Sequence, residues 1–262
     1  MNRIDERFNK LKQENKKALI TFLTVGDPDI DTSEQAVYTM QEEGVDLIEL
    51  GVPFSDPAAD GPTIQRADER ALQNGTDIFK VFEFVEKIRD KVEVPLVFLL
   101  YYNVIMQYGT DEFFARCAEA GVDGLIIPDL PYEESGEIRE YTEKYGVYQI
   151  TLVSPTSRDR VKDIAANSKG FLYCISSLGV TGEKSSFNTD FDEFVGTIKK
   201  HTDIPACVGF GVSNGAQVKE LTKYFDGAIV GSAIVKAIAE GNSTEERINN
   251  LREKIRDLKS GL

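Results

Sequence analysis

The chain has 262 residues, room for one large domain or two ordinary ones, and its 41% hydrophobic content supplies a substantial core. Its formal net charge of −14 argues against nucleic-acid binding, which needs clustered Lys and Arg to neutralise phosphates. No apolar run approaches the length of a membrane span and residues 1–17 are polar, so no membrane contact and a cytoplasmic location are expected.

The predicted elements alternate along the chain. A helix over 1–15 is followed by strand 18–23, helix 32–43, strand 46–50, helix 78–90, strand 95–101, helix 111–120 and strand 124–127. Helix 133–145, strand 148–152, helix 158–167, strand 170–175, helix 190–201, strand 206–209, helix 215–224, strand 227–230 and helix 245–258 complete the series. Most of the strands are nearly continuous Val/Ile/Leu runs, as expected where both faces are covered. Parallel strands need crossovers, and the helices supply them. Eight such repeats predict a single (β/α)8 TIM barrel domain, 1–262, with the extra N-terminal helix capping its bottom. The alternative is a doubly wound open sheet, which usually carries an early glycine-rich turn; none follows Leu23. Gly44-Val-Asp46 and Gly121-Val-Asp123 form a weak internal echo, each ending a helix and entering a strand.

Candidate chemistry gathers where the strands end. Glu49 sits inside the apolar run Leu47-Ile-Glu-Leu50, a costly place for a carboxylate unless it is paired or protonated. Asp60 follows in the loop Pro53-Phe-Ser-Asp-Pro-Ala-Ala-Asp-Gly61. Two carboxyls in different environments suit acid–base work. Glu49 could instead be a buried acid satisfied by a neighbour, and Asp60 a turn residue of Asp-Gly-Pro. Segment 178–188, with Gly179-Val-Thr-Gly182, is long and rich in small polar residues, and reads as an active-site loop or an ordinary solvated one. Gly209-Phe-Gly-Val-Ser213 and Gly231-Ser-Ala-Ile-Val235 follow strands seven and eight, where barrels commonly hold a phosphate on loop amides and a short helix end. Phe22, Leu99, Tyr101, Ile126, Tyr173 and Phe210 lie near strand ends and could form an apolar slot beside the phosphate, or simply barrel core. The only histidine, His201, lies in a polar segment, which excludes most His-based metal sites, and no metal is expected. Cys117, Cys174 and Cys207 read as reduced core thiols.

Glu49-Leu-Gly-Val-Pro-Phe-Ser-Asp56 running into Ala59-Asp-Gly-Pro-Thr-Ile-Gln65 resembles the tryptophan synthase alpha chain family. Thr24-Val-Gly-Asp-Pro28, Tyr101-Tyr-Asn103, Pro128-Asp-Leu-Pro131, Leu178-Gly-Val-Thr-Gly182, Gly209-Phe-Gly211 and Val230-Gly-Ser-Ala-Ile-Val235 are similar too, in the family's order. The resemblance implies retro-aldol cleavage of indole-3-glycerol phosphate to indole and glyceraldehyde 3-phosphate. Glu49 would be the general acid and base, and Asp60 would accept a hydrogen bond from the indole N–H. Phe22, Leu99, Ile126, Tyr173 and Phe210 would line the indole slot, and Ile64 and Tyr101 would also bind the substrate. Gly182, Gly211, Gly231 and Ser232 would hold the phosphate, and Thr181 would latch onto Asp60 when its loop closes. No cofactor is implied on this chain; pyridoxal phosphate is expected on a partner beta chain in an alpha2beta2 complex. The competing expectations are a different phosphate-binding barrel enzyme, an alpha chain kept only as an activator, and a stand-alone lyase.

Overall fold

Alternate residues of the strands face two different cores, and this puts chemistry inside a ring. The computed structural model describes residues 1–157, 160–175, 191–209 and 211–262. Their strands are β1 (Ala18–Thr24), β2 (Leu47–Gly51), β3 (Leu96–Leu99), β4 (Gly124–Ile126), β5 (Tyr148–Gln149), β6 (Thr151–Val153), β7 (Leu172–Ile175), β8 (Ala206–Gly209) and β9 (Gly227–Val230). All the pairings are parallel, in the order β5-β4-β3-β2-β1-β9-β8-β7-β6. β5 and β6 are two halves of the predicted strand 148–152, divided at Ile150. The lower half pairs with β4, and the Ile150 N–H still donates to Leu125 O at 2.8 Å. From Thr151 onward the chain pairs with β7. One broken strand therefore closes the ring, and the predicted (β/α)8 barrel is the observed fold.

Ile20, Leu47, Val97, Ile126, Ile150, Tyr173, Cys207 and Ile229 point into the ring and pack together. Their neighbours Leu19, Ile48, Leu50, Phe98, Leu125 and Leu172 point outward into the layer under the helices. The N-terminal helix Arg3–Gln13 plugs the bottom, as expected: Ile4, Phe8 and Leu11 join the inner cluster, with Phe8 against Phe171 at 5.6 Å. Arg3 pairs with Asp123 and Arg7 with Asp46, fastening the plug to the strand entrances. Those two acids explain the Gly-Val-Asp echo. Asp46 accepts the N–H of Leu19 at 2.8 Å and Asp123 that of Leu96 at 2.9 Å, so each acid binds the strand before its own.

Most predicted helices stand near their predicted bounds: Ile30–Glu42, Ile78–Arg89, Thr110–Ala120, Gly136–Tyr145, Arg160–Asn167, Phe191–Lys199, Gly215–Leu221 and Thr244–Lys259. Among the described residues strict alternation fails in three places. Helices Pro62–Gln73, Tyr102–Tyr108 and Ser232–Ala239 are additional, all following strand exits. The first has a buried stripe of Ile64, Ala67, Asp68 and Ala71, whose small and acidic members hide its amphipathic period. The predicted strand 95–101 shortens to Leu96–Leu99 because Tyr101 becomes the N-cap of Tyr102–Tyr108.

Candidate active site

At the C-terminal ends of the strands lies a cavity of about 250 Å³. It is walled by Phe22 of β1, Glu49 of β2, Leu99 of β3, Ile126 of β4, Leu152 of β6 and Tyr173 and Ile175 of β7. Ala58, Ala59 and Asp60 close one side from the loop after β2, and Ile64 from helix Pro62–Gln73. Gly211, Val212, Gly231 and Ser232 form the remaining rim, with Pro128 and Ile229.

Glu49 faces inward because it shares the parity of Leu47, while Ile48 and Leu50 face the helices. Register places it between Phe22 and Val97. It is 1% exposed, and its Oε1 has no hydrogen-bond partner among the described residues. Burial alone pushes its carboxyl up from 4.5 to about 8, since an ion there loses water and gains no counter-charge. A neutral acid at neutral pH that can ionise at small cost is suited to giving and retaking a proton. The neighbouring wall also depends on small residues. A Cβ on Gly51 would lie 2.5 Å from Phe22 Cζ, and one on Gly209 would lie 2.6 Å from the Tyr173 hydroxyl. Those glycines give the two rings their places in the slot.

Asp60 is held differently. The Tyr101 hydroxyl donates to Asp60 Oδ2 at 2.8 Å and accepts the Ala59 N–H at 2.9 Å. The Phe54 ring stacks on Tyr101 with centroids 5.1 Å apart, so one side chain organises the whole loop. Burial raises the Asp60 carboxyl, and the bond from Tyr101 opposes that rise. The Tyr173 phenol is pushed well up by burial and by the charges of Glu49 and Asp60, so it stays neutral. Tyr101, expected at the substrate, is placed by the structure behind Asp60, outside the cavity wall.

The opposite rim supplies amides. Gly211 has φ +90°, a left-handed conformation open to glycine. Gly231 starts helix Ser232–Ala239 without a side-chain cap, and its carbonyl takes the N–H groups of Ile234 and Val235. The preceding amides, of Ser232 and Ala233, are the ones that such a helix start leaves for an anion. No lysine or arginine lines the cavity among the described residues, in keeping with an anion held by backbone. Thr181, Gly182, Phe210 and the segment 178–188 lie outside the described residues.

Sequence reasoning did not single out Leu152, Ile175 or Ile229, which look like ordinary strand residues, and it gave Ala58, Pro128 and Val212, which lie inside its motifs, no place in the slot. It also missed Asp68, buried on helix Pro62–Gln73 behind the loop, where Oδ1 accepts from the Thr24 hydroxyl at 3.2 Å. The available signal was an acid on the apolar stripe of a helix that starts with Pro at its first turn.

A family model described as tryptophan synthase alpha chain matches residues 8–262. The tryptophan synthase alpha chain of Thermoanaerobacter sp. (strain X514) is 49% identical over 262 residues, 100% of both chains. That of Caldanaerobacter subterraneus subsp. tengcongensis is 47% identical over the same extent. Among solved structures, Mycobacterium tuberculosis tryptophan synthase superposes with a TM-score of 0.89 at 38% identity, covering 99% of this chain and 98% of that one. Tryptophan synthase subunit alpha from Legionella pneumophila gives a TM-score of 0.86 at 33% identity, covering 99% of both chains. The fold, the inward acid of β2 and these likenesses over the full length agree: the chain belongs to the tryptophan synthase alpha chain family.

Proposed function

We propose that this chain, acting as a single domain, cleaves indole-3-glycerol phosphate to indole and glyceraldehyde 3-phosphate, with Glu49 as both acid and base. The observation that carries the assignment is the buried carboxyl of Glu49 on the cavity wall, whose Oε1 has no hydrogen-bond partner among the described residues. The bond to be broken joins an aromatic carbon to a carbinol carbon, and an aromatic carbon leaves only after it is protonated. Neutral Glu49 donates its proton to indole C3. The positive charge that develops at the ring nitrogen is stabilised when the N–H donates to ionised Asp60. Glu49, now a carboxylate, takes the proton of the adjacent glycerol hydroxyl; its O–H electrons form the aldehyde and the C–C electrons restore the indole ring. Glu49 ends protonated, as it began.

The indole lies in the slot formed by Phe22, Ile64, Leu99, Ile126 and Tyr173, and the phosphate meets the amides of Gly211, Gly231 and Ser232. Excluding water from this slot strengthens the charge interactions that the step depends on. Proton transfer and charge stabilisation both come from side chains, so the reaction uses no cofactor on this chain. Indole passes to a beta chain that carries pyridoxal phosphate, in an alpha2beta2 assembly in the cytoplasm. Among the described residues no helix is long and apolar enough to cross a membrane. The test is incubation of the purified chain with indole-3-glycerol phosphate, with and without beta chain. Indole and the aldehyde should appear in equal amounts, faster with beta chain; absence of indole in both arms would contradict the assignment.

A further inference from the structure

Behind Asp60 lies a second acid that the proposed chemistry does not use. Asp68 is 5% exposed and sits on the buried stripe of helix Pro62–Gln73. Its Oδ1 accepts from the Thr24 hydroxyl at 3.2 Å, and the backbone N–H of Phe54 favours its charged form. Thr24 ends strand β1, and Phe54 opens the loop whose far end is Asp60. The carboxyl therefore joins helix Pro62–Gln73, which starts just after Asp60, to the end of strand β1. Resting on the retro-aldol reading, we propose that Asp68 is the positioning residue for Asp60, tying the helix that begins beside Asp60 to strand β1 so that the Asp60 carboxylate stands where the indole N–H arrives.

The charges around Asp68 say which acid ionises. Asp60 faces it from the loop and Asp27 from the turn after β1, both raising its carboxyl, and Tyr101 faces the pair from the end of β3 through Asp60. Arg70, on its own helix, is engaged by Asp27 through bonds of 2.6 and 2.9 Å. Burial, followed by the Asp60 charge, holds Asp68 up to about 8. Asp68 thus keeps its proton at neutral pH, and Asp60, supported by Tyr101, is the member of the pair that carries charge. An amide at position 68 reproduces this neutral form; a methyl group does not.

The test compares wild type, Asp68→Asn and Asp68→Ala as full-length chains with beta chain present. The readouts are kcat and KM for cleavage, thermal stability, and the relative affinity of an indolyl alkyl phosphate and its benzofuran isostere, which has oxygen in place of N–H. Asp68→Ala should lower kcat about 10- to 100-fold, as for a misplaced group, with KM for the phosphate substrate nearly unchanged. It should also lose the preference for indole over benzofuran, while Asp68→Asn stays close to wild type in both. If Asp68→Ala does not fold, Asp68→Asn still decides. Wild-type cleavage should fall with two protons above about pH 8, as Glu49 and Asp68 ionise, and the Asn variant with one. Wild-type kcat and selectivity in Asp68→Ala, or the same two-proton fall in Asp68→Asn, would overturn the proposal. A wild type that releases no indole but prefers the indole ligand would sink the lyase reading alone, leaving the ligand comparison to judge Asp68.

Discussion

Replacing Glu49 by Gln should change how stability depends on pH, because the acid is kept neutral by the fold. Its carboxyl moves from 4.5 to about 8 on folding, with burial as the cause. Below pH 4.5 both folded and unfolded chains hold the proton, and Glu49 costs nothing. Between those values the unfolded chain ionises while the folded one does not, so the unfolded state binds fewer protons and stability falls as pH rises. At about 1.4 kcal/mol per unit, the cost reaches about 3 kcal/mol at pH 7 and levels off near 5 kcal/mol above pH 8. Gln removes this term but leaves an amide in a site where one acid oxygen already lacks a partner, a pH-independent cost of about 1–3 kcal/mol. The difference between wild type and variant therefore carries the signal, since the other titrating groups cancel. From pH 5 to pH 8 the wild type should lose about 3–4 kcal/mol more than Glu49→Gln, a relative shift in urea midpoint on the order of 1 M. The chain has no tryptophan, so far-UV circular dichroism is the suitable probe. Stability curves that run parallel with pH would refute the claim that the fold holds Glu49 neutral.

Tyr101→Phe should lower kcat roughly tenfold at neutral pH and move the acidic limb of the pH–rate profile upward, because Asp60 loses the donor that favours its charge; an unmoved limb would separate Tyr101 from Asp60. Asp60→Asn should impair cleavage at every pH, by about 10² or more, since an amide cannot balance the charge developing on the ring nitrogen. Gly211→Ala should raise KM about tenfold while sparing kcat at saturation, because a Cβ at φ +90° strains the turn and stands where the phosphate meets the amide; glycerol 3-phosphate affinity measured by calorimetry should fall in parallel. Phe8→Ala should cost about 3–5 kcal/mol of stability in urea unfolding, yet leave kcat near wild type, because the plug lies at the end of the barrel away from the cavity.

The barrel was legible in the sequence because its signals are local. Short Val/Ile/Leu runs, separated by helical stretches long enough to cross over, leave few topologies, and the acid inside Leu47-Ile-Glu-Leu50 announces itself by its cost. Features set by long-range geometry were not legible. The break at Ile150 follows from closing the ring, which no residue near 150 encodes. A ring near a strand end, as at Tyr101, fits a slot wall; only the folded loop shows its hydroxyl between Asp60 and Ala59. Asp68 carries no signal of its own in the sequence beyond its place on that helix stripe, because its burial depends on the fold bringing Thr24 onto its helix. Ile64, Gly211, Gly231 and Ser232 are expected at the substrate from the resemblance and from barrel anatomy, and these residues are among those that line the cavity.

The most direct measurement is single-turnover release of indole from indole-3-glycerol phosphate by wild type and Glu49→Gln, at pH 7 with beta chain present. The amide keeps the shape of the side chain and removes the carboxyl that gives one proton to indole C3 and takes another from the glycerol hydroxyl. The rate should drop by at least the roughly 10²–10⁴-fold typical of general acid–base groups, while affinity for an uncleavable indolyl phosphate stays close to wild type. Indole released by the variant at the wild-type rate would contradict the assignment of Glu49 as the acid and base.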